Sequence, residues 1–67
     1  MLVEIWSNSP SNVIIHQGLK TKQEMMKYMV QRAEAEQDKK GVEYNDNGMT
    51  VVLTNGVKIN FIIGRVV

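Results

Sequence analysis

The sequence predicts a small α+β domain in which a single helix packs on an antiparallel sheet, with the element order β-β-α-β-β-β. Three observations support this class: a complete set of helix signals in the middle of the chain, two strand-like apolar runs before it, and strand-like runs punctuated by two Asn-Gly pairs after it. Strands grouped on both sides of one helix are typical of a helix layered on a sheet. No linker or repeat interrupts residues 1–67, so we take them as one domain.

The front of the chain predicts a hairpin. The runs LVEIW and NVIIHQ are rich in residues that favour strands. Between them, SNSPSN contains the Asn, Ser and Pro residues that favour turns. We therefore expect the first two strands to lie side by side.

The next segment predicts a helix over residues 22–40. Thr21 is placed as the N-cap, and Glu24 three residues later completes a capping box. Lys39 and Lys40 suit the negative end of the helix dipole, and Gly41 can end the helix. Spacings of three and four residues define one apolar stripe, formed by Met25, Met26, Met29, Val30 and Ala33. We expect most of this stripe to be core, with an adaptable methionine contact surface as the alternative.

The last third predicts three strands joined by two tight turns. A type I′ turn centred on Asn47-Gly48 would place Val42 opposite Leu53. A three-residue turn, Thr54 to Gly56, with a glycine bulge would then place Leu53 opposite Val57. The helix should cover the apolar face that results, which comprises Val42, Tyr44, Met49, Val51, Leu53, Val57, Ile59 and Phe61.

Composition limits the classes of function. Eight Lys and Arg against seven Asp and Glu give a net charge of +1, so the chain has no global field that would attract nucleic acid or an anionic membrane. No stretch approaches the roughly 20 apolar residues that span a bilayer, and the N-terminus does not resemble a signal peptide. The absence of cysteine favours an intracellular protein. We therefore expect a cytoplasmic protein that does not contact membranes.

The sequence does not offer a set of residues for catalysis. The only histidine, His16, lies in a predicted strand, without a second His or a Cys to complete a metal site. Glu34 and Glu36 are about 200° apart on a helix, so they cannot converge on one ion. The glycines lack the spacing of a phosphate-binding loop. We expect no enzyme activity, no cofactor and no metal.

The surplus apolar residues suggest a protein interface. Ile62 falls on the sheet face opposite the core, Trp6 lies in the first strand, and Val66 and Val67 end the chain. A domain this small has little interior to hold them. We expect a non-enzymatic interaction module, a regulator or inhibitor of another protein, of the type that accessory or mobile-element genes encode. Self-association as a homodimer is the expected state. The alternative is that the N-terminal hairpin folds over residues 57–63 and covers these groups within one chain.

A second class of function remains open, a small nucleic-acid-binding protein. Positive charge concentrates around the first half of the helix, where Lys20, Lys22, Lys27 and Arg32 could form a stripe that contacts phosphates. Glu24 interrupts the stripe, and the second half of the helix is acidic. Binding at two salt concentrations separates the two classes, because phosphate contacts weaken steeply with salt.

Overall fold

The chain folds as one helix packed on a five-stranded antiparallel sheet, in a computed structural model that describes residues 1–64. The predicted class and the element order β-β-α-β-β-β are confirmed. The elements are β1 (Leu2–Trp6), β2 (Ser9–His16), α1 (Lys22–Ala35), β3 (Lys39–Asn45), β4 (Gly48–Leu53) and β5 (Lys58–Ile63).

The strands lie in the order β2-β1-β5-β4-β3, so β1 is in the sheet interior and β2 and β3 form its two edges. Val3 pairs with Ile15 on β2 and with Ile62 on β5. The N-terminal hairpin therefore extends the sheet beside β5 instead of folding over residues 57–63. Its turn is also shorter than SNSPSN predicts, because β2 already begins at Ser9.

The helix begins as the sequence predicts. The Thr21 side-chain oxygen accepts the backbone N–H of Glu24 at 3.1 Å, and its hydroxyl donates to the Glu24 carboxylate at 3.0 Å. These bonds satisfy one of the free N–H groups of the first turn. Three residues of the stripe, Met25, Met29 and Ala33, are buried against the sheet.

The helix ends at Ala35, so the predicted boundary at residue 40 is wrong. Lys39 and Lys40 belong instead to β3, where Lys39 pairs with Leu53. The backbone of Asp38 also accepts a hydrogen bond from Thr54 at 2.8 Å. Pairing with β4 therefore outweighs the helical preference of these residues. The ammonium of Lys39 still caps the helix by donating to the C=O of Ala33 at 3.0 Å.

The turn between β3 and β4 lies one residue before the predicted position, so Val42 pairs with Val51 instead of Leu53, a register shift of two residues. Asn45 pairs with Gly48, so the turn residues are Asp46 and Asn47, and the type I′ turn at Asn47-Gly48 is wrong. The Asn45 side chain accepts the N–H of Asn47 at 2.9 Å, which stabilises the turn in this position. Gly48 is needed for another reason, because a Cβ there would collide with the carbonyl oxygen of Phe61.

The turn between β4 and β5 matches the prediction. Val51 pairs with Ile59 and Met49 with Phe61, as a three-residue turn requires. Gly56 adopts a φ of 88°, in the region that side chains disfavour. The register of β3 against β4 differs from the prediction by two residues. Because side chains alternate faces with a period of two, every side chain of the meander keeps its predicted face. The core lies between this face and α1, and comprises Leu2, Met25, Met29, Ala33, Met49, Val51, Leu53, Ile59 and Phe61.

Candidate protein-interaction surface

The face of the sheet opposite α1 carries a group of aliphatic side chains that no element among residues 1–64 covers. Directly opposed residues in an antiparallel sheet share a face, so the pairings of Val3 and Ile5 with their neighbours define the group. We call it the aliphatic patch, and it consists of Val3, Ile5, Val13, Ile15 and Ile62. Val13, Ile15 and Ile62 are 48%, 49% and 42% exposed.

The patch occupies only the half of this face that β2, β1 and β5 form. The other half is mainly polar from Asn60 onward, with the half-buried Val52 as its aliphatic exception, and the Thr50 hydroxyl donates to the Asn60 side chain at 2.8 Å. Glu43 pairs with Thr50 and continues the polar row to β3. An antiparallel sheet normally presents polar residues to water on its open face. The β4 and β3 half follows that pattern, whereas the aliphatic patch does not.

The predicted interface residues do not come together. Ile62 lies in the aliphatic patch, as expected for a residue opposite the core. Trp6 pairs with the buried Ile59 and packs against the core on the helix side. One flat contact therefore cannot include both side chains. Val66 and Val67 lie outside the described residues.

Trp6 belongs instead to a polar cluster around Glu4, which is the buried charged residue of the core at 2% exposure. The Trp6 indole N–H donates to Oε2 of Glu4 at 2.6 Å, and Nε2 of His16 lies 3.0 Å from Oε1. Since an ionised carboxylate can only accept, Nε2 carries the proton. From α1, Arg32 donates to the same carboxylate at 2.9 and 3.4 Å.

The cluster holds Glu4 in its ionised form. Burial by itself raises the pKa of Glu4, but hydrogen bonds from Trp6, His16 and Arg32, with the positive charge of Arg32, outweigh burial and lower the pKa below its ordinary 4.5. Arg32 also donates to the Tyr28 hydroxyl at 3.0 Å. These bonds connect α1 to β1 and β2, so they position the helix on the sheet.

Sequence reasoning did not identify this cluster, because its members lie up to 28 residues apart. His16 was expected to be a strand residue without a catalytic role, and its place beside Glu4 makes it a structural partner. One signal was present in the sequence. In LVEIW, Glu4 shares its face with Leu2 and Trp6, so a strand that buries these two must also bury the carboxylate.

The predicted basic stripe divides into two groups. Lys20, Lys22 and Lys27 are exposed. Arg32 directs its guanidinium inward to Glu4 and Tyr28, so three of the four predicted phosphate contacts have free access to solvent.

A second apolar feature is a groove between α1 and the β3–β4 hairpin, with a cavity volume of about 180 Å³. Met26 and Val30 line it from the helix and Tyr44 from β3, and all three are exposed. Of the three methionines in the predicted contact surface, Met26 is therefore the one that is not buried in the core. Lys22 and Asp46 bring opposite charges to the same groove.

Residues 1–64 lack two features that would define other types of site. No three His, Asp or Glu side chains in this range are grouped as metal ligands. No helix in this range has the length and the apolar character required to cross a membrane.

In comparisons with known proteins, no family model, no curated protein and no solved structure matches this chain.

Proposed function

We propose that this protein is a non-enzymatic interaction module that self-associates and regulates or inhibits another protein through the aliphatic patch. The observation that carries the proposal is the division of the open sheet face into a polar half and an aliphatic half. Exposed apolar groups scattered singly are ordinary on a protein surface, whereas adjacent ones on one face mark contact sites. The patch is continuous across three neighbouring strands, from Ile15 through Val3 to Ile62.

The chemistry of the patch defines the partner surface. Its five residues carry no charge and no hydrogen-bonding side chain, so they suit a complementary aliphatic surface on a folded protein. Lys58 and Glu43 lie on the polar half of the same face. Those two charges lie to one side of the patch, where they supply part of the polar rim that a typical interface has around its apolar centre. Because a cysteine-free chain gains no stability from an oxidising compartment, we place this interaction in the cytoplasm.

The non-enzymatic part of the proposal rests on the Glu4 cluster. Both oxygens of Glu4 accept hydrogen bonds from protein donors, and the side chain is 2% exposed. A general base must reach the proton that it abstracts. The arrangement favours a structural role for these ionisable groups.

The test is capture of a partner from extracts of the native host with matched variants. Ile62→Lys adds a charge to the patch, and Val30→Lys makes the same change at a similarly exposed residue of α1. We expect Ile62→Lys to lose a partner that both the wild type and Val30→Lys retain. Apolar contacts should also resist a rise in salt from about 50 to 200 mM.

Two outcomes would overturn the proposal. Loss of the partner with Val30→Lys alone would move the contact to the groove beside α1. The second is that the protein retains nucleic acid at low salt, releases it at high salt and no longer binds it when Lys20, Lys22 and Lys27 become Glu. That result would favour nucleic-acid binding as the function.

A further inference from the structure

We infer that the self-association in the proposed function occurs along the outer edge of β2, where a second copy pairs antiparallel about a two-fold axis at Ile14. The inference rests on the proposed self-association and specifies its site and register. It follows from the direction of backbone groups, from the charges on the two edge strands and from the β-branched aliphatic residues on each side of Ile14.

The hydrogen bonds beside β1 determine which backbone groups point outward from β2. Met1 accepts a backbone hydrogen bond from Gly64, and Ser7 donates one to Lys58, both at 2.9 Å, so these two residues, which flank β1, direct their backbone groups toward β5. Backbone direction alternates along a strand. The backbone N–H and C=O groups of Leu2 and Glu4 therefore point toward β2.

Their partners on β2 follow from the pairing. His16 and Ile14 oppose Leu2 and Glu4, so these two residues direct their N–H and C=O groups to β1. Val13 and Ile15 must then direct theirs away from the sheet. No strand among residues 1–64 pairs with that side of β2.

The two edges of the sheet differ in how they discourage pairing. Natural edge strands are protected by charges, bulges and proline. On β3, Lys39, Lys40 and Glu43 supply charge, and the register shifts between Lys39 and Gly41. On β2, the register shift and Pro10 are confined to the part before Val13, and the whole strand contains no Lys, Arg, Asp or Glu.

The regular part of β2 is exposed on both faces. Val13 and Ile15 project from the open face, and Ile14, 45% exposed, projects from the helix face. The backbone of α1 packs over β4 and β5, and the exposure of Ile14 shows that the helix does not cover this part of β2. An added strand would cover apolar groups on both faces at once.

A second copy fits this edge because Ile14 has a β-branched aliphatic residue on each side, Val13 and Ile15. An antiparallel pair centred there places Val13 opposite Ile15 of the copy, and these pairs exchange their free backbone hydrogen bonds. The two Ile14 side chains meet at the axis. The open faces then lie on one side, so the two aliphatic patches join at β2. Pairing thereby doubles the surface that the proposed function assigns to the partner protein.

The absence of cysteine makes the register directly testable. Ile14 is in a non-hydrogen-bonded pair at the axis, where Cβ atoms approach to about 4.5–5.5 Å. That separation is close to the roughly 3.5–4.5 Å of a disulfide. Ile14→Cys should oxidise rapidly to a covalent dimer. Val13→Cys by itself should oxidise slowly, because residue 13 opposes Ile15 of the copy. Ile62→Cys should also oxidise slowly. A mixture of Val13→Cys and Ile15→Cys should cross-link.

Charge variants supply a measurement without covalent trapping. In sedimentation equilibrium, the wild type should approach twice 7.6 kDa as its concentration rises. Ile14→Lys opposes two like charges and should raise the dimer Kd at least about tenfold. An equal mixture of Ile14→Lys and Ile14→Glu should restore the dimer.

The outcomes separate this inference from the proposed function. A dimer in solution whose Ile62→Cys variant cross-links faster than Ile14→Cys would reject pairing at β2 and leave self-association standing. A mass that stays at 7.6 kDa would reject both self-association and the pairing. The capture experiment with Ile62→Lys would still decide whether the patch binds another protein.

Discussion

Replacing Glu4 with Gln tests the polar cluster that joins α1 to the first hairpin. The substitution preserves the shape of the side chain and removes its charge. In the wild type, the two carboxylate oxygens of Glu4 accept hydrogen bonds from Trp6, His16 and Arg32. The amide keeps only one oxygen, and its NH₂ group must face donors. The variant therefore loses the charge pairing with Arg32 and leaves at least one donor unsatisfied.

The expected cost follows from the burial of the two partners. Breaking a fully buried ion pair costs about 3–5 kcal/mol. Arg32 is 28% exposed and can recover some hydration, so we expect a smaller cost than for a fully buried pair, about 2–3 kcal/mol. A domain of 67 residues has a total stability of about 3–10 kcal/mol, by scaling the typical value per residue. The change should therefore be a large fraction of the whole.

The pH dependence gives a second signature. The pKa of Glu4 is lower in the folded chain than its ordinary 4.5, so the unfolded chain binds the proton more readily. The charged form therefore stabilises the fold fully above pH 4.5, and this contribution is lost as the pH falls below 4.5 through the folded pKa. The difference between the wild type and Glu4→Gln should accordingly shrink in acid.

Urea denaturation followed by the fluorescence of the single tryptophan measures both effects, because the Trp6 indole N–H is bonded to Glu4. Glu34→Gln is the matched control, since that residue is an exposed glutamate of α1. Equal midpoints for the wild type and Glu4→Gln at pH 7, or a difference that does not change in acid, would refute the reasoning. A Glu34→Gln variant as unstable as Glu4→Gln would show that loss of any negative charge has this effect.

The remaining predictions concern the turns and the helix cap, and urea denaturation monitored by circular dichroism tests them. Gly56→Ala should cost about 1–2 kcal/mol, because its φ is 88° but the space for a Cβ is open. Gly48→Ala should cost more, about 2–3 kcal/mol, because the Cβ would displace the backbone of Phe61. The reverse ranking would contradict the geometry at both glycines. Thr21→Ala should cost about 0.5–2 kcal/mol by removing the bond to the N–H of Glu24, and an unchanged midpoint would mean that this cap contributes nothing.

The sequence by itself determined the features that depend on neighbouring residues. The start of α1 was predictable because Thr21 and Glu24 lie within one turn and complete their bonds locally. The bulge at Gly56 was predictable because only that register aligns Val51 with Ile59. The face of each meander residue followed from the period of two. Together these signals were sufficient for the fold class and the order of elements.

The tertiary structure alone decided where these elements end and which of them meet. The signals around Lys39 and Gly41 suit a helix end, yet β4 supplies hydrogen bonds that hold this segment as a strand. The placement of β1 beside β5 required long-range pairing that no local pattern encodes.

The same physical reason applies to the sites. Trp6 and Ile62 are both surplus apolar residues in the sequence, but the pairing of β1 with β5 places them on opposite faces of the sheet. Arg32 matches the basic stripe in its spacing, yet Glu4, 28 residues away, binds its guanidinium. A buried carboxylate attracts whichever donors the fold brings to it, and only the packed chain determines which donors those are.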